Sequence, residues 1–246
     1  MRYFAELAYN GMNYFGWQRQ PKDISVQEVL EQAFTTILAN TIEVTGCGRT
    51  DTGVHARHYI MHFDFEGTFP ERFIDRINKF LPKDIVIYRI WEVPTEAHAR
   101  FDATHRAYEY HIDFQKNPFA IDTTYYFHFA KQLDLDKMHA AAALLLEYKE
   151  FFPFCKTNHD AKTMRCTLFR AEWILHKEQE KLVFHIAANR FLRGMVRLIV
   201  GMMLNVGLGK TSLDEVRYAL DHQTRLKRSL SVPPQGLYLC DIRYKT

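Results

Sequence analysis

Gly46-Cys47-Gly48-Arg49-Thr50-Asp51-Thr52-Gly53-Val54-His55-Ala56 is the densest polar cluster in the chain. Three glycines surround a carboxylate there, between an apolar run at 42–45 and a longer one at 59–65. Glycine opens backbone conformations closed to other residues and lets a ligand approach closely. A Gly-Arg-Thr-Asp turn alone would be satisfied by Asp51 capping its own backbone. The longer cluster points to a site held between two strands.

Reading outward, residues 2–9 are aromatic and β-prone. Ser25-Val26-Gln27-Glu28 has the form of a capping box, and Val29, Leu30, Ala33, Phe34, Ile37 and Leu38 follow at helical spacing. Strands are predicted at 42–45, 59–65 and 85–92, and a helix at 71–80 that stops before Pro82. In 59–65, Tyr59, Met61, Phe63 and Phe65 share one face. The pattern then begins again. Residues 107–114 alternate, with Tyr108, Tyr110, Ile112 and Phe114 on one side. A helix is expected at 136–148, a hairpin at 168–175 and 181–188, and an apolar helix at 191–206. A short capped helix opens at Ser212-Leu213-Asp214-Glu215, and a strand closes at 236–244.

Several strands follow one another without an intervening helix, which argues for an α+β fold with a largely antiparallel sheet. The recurrence suggests two similar halves, 1–105 and 106–246, although no residue-level repeat links them.

Composition sets the limits. A chain of 246 residues, 47% hydrophobic and 25% charged, is globular and long enough for a substantial core. No run approaches the roughly eighteen uncharged apolar residues of a membrane span. The richest stretch, 195–209, is interrupted by Arg197 and Asn205. The start, Met1-Arg2-Tyr3-Phe4-Ala5-Glu6, carries an acid in its first apolar segment and does not read as a signal peptide. Cys47, Cys155, Cys166 and Cys240 have no metal-ligand spacing, and a reducing cytoplasm is expected. His58 and His62 share a strand face, but no third ligand accompanies them, so no metal is expected. Gly207-Leu208-Gly209-Lys210-Thr211 ends like a phosphate-binding loop, but Leu204 stands where its first glycine is required.

The formal charge is +3. Between 187 and 230, Arg190, Arg193, Arg197, Lys210, Arg217, Arg225, Lys227 and Arg228 face only Asp214, Glu215 and Asp221. Such an excess is either a solvated face or a surface for a polyanion.

Gly48-Arg49-Thr50-Asp51-x-Gly53-Val54-His55-Ala56 closely resembles the signature of the tRNA pseudouridine synthase A family. Tyr9-Asn10-Gly11-Met12-Asn13-Tyr14-Phe15-Gly16-Trp17-Gln18-Arg19-Gln20 resembles its N-terminal block, with Asn10 in place of the usual aspartate. His98-Ala99-Arg100-Phe101-x-Ala103-Thr104 with Arg106-x-Tyr108-x-Tyr110 resembles its central block. Asn189-Arg190-Phe191-Leu192-Arg193-x-Met195-Val196-Arg197 and Gly236-Leu237-Tyr238-Leu239 resemble the last two. Cys47, Thr52 and Glu150-Phe151-Phe152-Pro153-Phe154 also depart from the family pattern.

The resemblance implies a pseudouridine synthase fold, two similar α/β halves with the active-site cleft between them. It also implies isomerisation of uridine to pseudouridine in the tRNA anticodon arm, at tRNA positions 38 to 40. Neither a metal nor an organic cofactor is implied, because a carboxylate nucleophile suffices. Asp51 matches that nucleophile and would attack either C6 of the uracil or C1′ of the ribose. A stacked uridine has to be everted first, and Arg49 matches the family's flipping arginine. Tyr108 would stack on the uracil and assist proton removal at C5; without the motif it reads as a core aromatic. Arg197 would pair with Asp51 and keep it ionised, or else snorkel at the helix edge. Leu237 would lie against the uracil face. His55, Arg57, His98, Arg100, Phe101, Arg106, Asn158, Lys162, Arg190 and Arg193 fall where the family grips RNA, with Lys156 a further candidate. A homodimer with tRNA across two subunits is implied as well.

Two other classes compete. One is a non-catalytic tRNA-binding or RNA-folding protein on the same scaffold, against which Asp51, Tyr108 and Arg197 together argue. The other is a glycosidase-like hydrolase, which needs a second acid near Asp51 that the motif lacks.

Overall fold

Arg2–Tyr9 (β1) is the strand around which the first half is organised. The computed structural model describes residues 1–156 and 162–245. It divides into two units, Met1–Thr104 with Tyr238–Thr246, and His105–Leu237.

In the first unit, β1 lies antiparallel between His55–Asp64 (β3) and Ile85–Val93 (β4). Thr45–Gly46 (β2) pairs with β3 antiparallel, and the closing strand Leu237–Tyr244 (β9) runs parallel to it. Tyr59, Ile60, Met61, His62 and Phe63 are all buried, so β3 is covered on both faces rather than one. Pairing steps from Leu7 opposite Tyr59 to Tyr9 opposite Ala56, a bulge that re-aims the strand ends next to the Asp51 loop.

The helix Val26–Leu38 (α1) begins as its sequence predicts, with Ser25 Oγ accepting from Glu28 N at 3.2 Å. The reciprocal half of the box is not formed; the Glu28 carboxylate lies 3.6 Å from Arg19 instead. Residues 42–44 were expected in a strand, yet only Thr45–Gly46 pairs. Side chains of α1 take the partner's place. Glu31 accepts from Val44 N, Gln27 donates to Val44 O, and Thr35 accepts from Ile42 N. The second helix runs Phe73–Phe80 (α2), later than the expected start at 71, because Arg72 adopts a left-handed φ of 54°. Phe34 packs edge-on against Phe63 and Phe73, joining both helices to the sheet.

In the second unit, Ala103–Asp113 (β5) pairs antiparallel with Lys181–Ala188 (β8), and β8 with Leu168–His176 (β7), forming the expected hairpin. Tyr125–Tyr126 (β6) adds parallel to β5. Leu135–Leu145 (α3), Met195–Gly207 (α4) and Leu213–Asp221 (α5) complete this unit. Helix α4 was expected from 191. It starts after Gly194, whose φ of 70° turns the chain, so the arginines at 190 and 193 sit in a loop. At α5 the capping box closes both ways between Ser212 and Glu215. Phe151 and Phe154, part of the departure at 150–154, are buried core. The fold is α+β with mostly antiparallel pairing, as expected. Among the described residues no helix is long and apolar enough to cross a membrane.

Candidate active site

The loop carrying Asp51 is held by the N-terminal block and by β3. The first turn of α1 has backbone N–H groups without intrahelical partners. Two of them go to the N-terminal block, Val26 N donating to Gly16 O at 3.2 Å and Gln27 N to Trp17 O at 3.0 Å. That block passes the constraint on, since Trp17 N donates to Thr50 O at 3.2 Å and Gly53 N to Tyr14 O at 3.3 Å. Gly16 has φ 81°, and a Cβ there would sit 2.4 Å from Thr50 O. Tyr59 donates from its hydroxyl to Gly48 O at 2.5 Å and stacks on Trp17 with ring centroids 4.2 Å apart. The loop closes on itself through Val54 N to Asp51 O at 3.1 Å, with Gly53 at φ 76°.

Asp51 is half-buried and Arg49 exposed on this rigid turn. His55 is buried, accepts Gly11 N–H at Nδ1 (3.0 Å), and stacks on Tyr238 at 4.6 Å. The Arg57 guanidinium lies over the Tyr238 ring, 4.5 Å from its centroid. The departure at Asn10 is absorbed locally: its side-chain oxygen accepts from Met12 N at 3.1 Å, an acceptor role an aspartate would fill equally. Tyr14 donates to Asp84 at 2.6 Å, and burial with that carboxylate pushes its phenol up.

His98, Arg100 and Phe101 form a second group in the same unit. Phe101 is 74% exposed, its ring 4.2 Å from that of His98, with the Arg100 guanidinium 5.6 Å from its centroid.

In the second unit, Arg106 donates to Asn189 O at 2.8 Å, fixing the start of β5 to the loop that carries Arg190 and Arg193. Tyr108, opposite Ile186, meets Phe191 edge-on at 5.2 Å. Arg197 is half-buried on α4; its Nε donates to Val232 O at 2.7 Å, and Val232 N returns a bond to Arg197 O at 3.3 Å. Arg193 is exposed and its carbonyl accepts from Lys156 N; Lys162 is exposed, and Leu237 is buried. Asn158 lies outside the described residues. Burial pushes the Cys155 and Cys166 thiols up, Cys166 to about 11, which leaves them unreactive. Among the described residues no group of three His, Cys, Asp or Glu is placed to hold a metal ion.

The sequence brought forward exposed groups such as Arg49 and Phe101 together with buried ones such as His55 and Leu237. It gave no holding role to Tyr9, which meets Thr50, and weighed His62, which meets Ala99, only as a metal ligand. The aromatic N-terminal block was the available signal for the first. For the second there was only a histidine in an apolar strand.

A fixed, half-buried carboxylate beside an exposed arginine suits attack on a ligand delivered from outside. A family profile described as tRNA pseudouridine synthase matches residues 5–102 and 142–245. A Bacteroides fragilis protein named tRNA pseudouridine synthase A is 44% identical over 245 residues, covering 99% of this chain and 96% of that one. Its Porphyromonas gingivalis namesake is 43% identical over 249 residues, covering 99% and 97%. The Clostridium perfringens protein named tRNA pseudouridine synthase A 2 is 36% identical over 239 residues, covering 97% of each.

Proposed function

The chain belongs to the tRNA pseudouridine synthase family, and from that premise we propose that it isomerises uridine to pseudouridine in the anticodon arm of tRNA, with Asp51 as nucleophile. The reaction conserves the composition of the nucleotide. The Asp51 carboxylate adds to the uracil C6 or the ribose C1′, and the N1–C1′ bond breaks. The base rotates and C5 bonds to C1′. The C5 proton then leaves, N1 ends protonated, and the carboxylate is regenerated.

Arg49 fills the stack vacated by the everted uridine and holds phosphate. Tyr108 and Arg197 of the second unit are assigned to the same reaction, the phenol to stack on the uracil and assist C5 deprotonation, the guanidinium to supply positive charge. Leu237 offers apolar contact to the base. His55, Arg57, His98, Arg100, Phe101, Arg106, Asn158, Lys162, Arg190 and Arg193 serve the RNA. The two halves expected from the sequence, 1–105 and 106–246, serve one tRNA, in the cytoplasm and as a homodimer.

The observation that carries this reading is the loop itself. Its backbone is tied at Gly48, Thr50 and Gly53 while the Asp51 side chain keeps partial access to solvent. Preorganisation of this kind is what a reacting carboxylate needs and what simple RNA binding does not. Pseudouridine mapping in unmodified tRNA after incubation with the pure protein tests it. New pseudouridine confined to the anticodon arm is expected; none at any site would reject the reading.

A further inference from the structure

The loop between β4 and β5 has no regular structure, yet its backbone groups are met by side chains from three strands of the first unit. Arg2 on β1 donates to Ala97 O at 3.0 Å. His62 on β3 accepts from Ala99 N at Nδ1, 3.1 Å away. Tyr244 on β9 donates to Ala99 O at 2.7 Å. Inside the loop, Asp102 accepts from His98 N at 2.6 Å, and His98 Nδ1 receives Arg100 N at 3.1 Å and Phe101 N at 3.3 Å. An exposed tip so completely anchored is a display device, and what it displays is the Phe101 ring with Arg100 and His98 against it.

We propose that His62 is a positioning residue. By accepting the Ala99 N–H it locks the loop at 97–102 so that Phe101, backed by His98 and Arg100, presents a stacking face to an unpaired nucleobase of the RNA. The role rests on the function proposed above for its ligand, but the locking does not. His62 is 6% exposed, and its ring meets that of His98 at 4.7 Å and 67°. Nδ1 is the acceptor, so the neutral ring carries its proton on Nε2. Burial, reinforced by Arg2, pulls the imidazole down to about 4, so it stays neutral at ordinary pH and remains an acceptor. An aromatic face flanked by a guanidinium is the chemistry that holds a base without reading its identity.

The test has two arms on the intact chain. In the free protein, amide exchange at Ala99, Arg100 and Phe101 is compared among wild type, His62→Leu, which removes the acceptor, and His62→Asn, which keeps one. His62→Leu is expected to speed exchange about tenfold or more, the loss of one buried hydrogen bond, and His62→Asn to restore most of the protection. In the second arm, His62→Leu is expected to raise the KM for tRNA about tenfold with kcat little changed. In a Phe101→Ala background it is expected to add nothing further. Unchanged exchange in His62→Leu overturns the locking. Full additivity with Phe101→Ala, or a loss confined to kcat, overturns the platform. Failure of the protein to bind tRNA at all would reject the proposed function and leave the exchange result standing.

Discussion

The Tyr9 hydroxyl and the Thr50 Oγ1 lie 2.8 Å apart, a buried pair 41 residues apart in the sequence. It ties the end of β1, just past its bulge, to the residue before the proposed nucleophile. Tyr9→Phe leaves the Thr50 hydroxyl short of this partner at a cost of about 1–3 kcal/mol. Urea unfolding measures that loss. Turnover should fall together with tRNA affinity, because the displaced loop carries both Asp51 and Arg49.

Gly16→Ala tests the same loop by steric means. At φ 81°, with a Cβ placed 2.4 Å from Thr50 O, the alanine must push the Asp51 turn away. Strain of about 1–3 kcal/mol is expected, with turnover down about ten- to a hundredfold from misplacement. Gly209→Ala is the matched control. Its φ is 68°, but nothing lies within 4 Å of the new methyl, so stability falls while kcat holds.

Arg197→Met removes the charged donor to Val232 O and should cost about 1.5–3 kcal/mol of stability, together with most turnover. Gly201→Ala separates the two effects. Its Cβ would fall 1.8 Å from Leu230 O, so it disturbs the packing of α4 against residues 230–232 without touching the guanidinium. Equal residual activity in the two variants, once matched for stability, would reduce Arg197 to a structural role.

Acid should weaken the fold as pH drops below 6.5. Burial lowers both His62, to about 4, and His185 below the ordinary 6.5. The unfolded chain therefore binds protons that the native one refuses. Stability is level above pH 6.5 and falls as pH drops from there toward 4, by about 1.4 kcal/mol per pH unit for each proton at most. Below that, Asp64, held low by its hydrogen bonds to Arg2, loses its own contribution as it protonates. Urea midpoints measured from pH 8 to 4 check the first window. His62→Asn should flatten part of the slope.

The order and type of most elements were legible because each rests on local chemistry. The Ser212–Glu215 box, the hairpin at 168–188 and the period of α1 all needed only neighbours in sequence. The failures mark long-range substitution. Residues 42–44 lost their strand to Gln27, Glu31 and Thr35, which supply the missing hydrogen bonds from a helix. The alternation seen in β3 vanished because both faces are buried.

The candidate site was legible for a different reason. Asp51, Arg49 and the aromatic N-terminal block stand in recognisable order. That order does not reveal that Trp17 and Tyr14 hold the loop through backbone bonds, or that His62 anchors a second loop through Ala99. Long-range backbone contacts of this kind leave no periodic trace.

The central claim is that the Asp51 carboxylate performs the chemistry. Tritium release from tRNA labelled at uracil C5 measures it, with wild type beside Asp51→Ala and tRNA binding followed in parallel. Release should vanish in the variant while binding largely survives. Release at the wild-type rate from a folded, tRNA-bound variant would contradict the account.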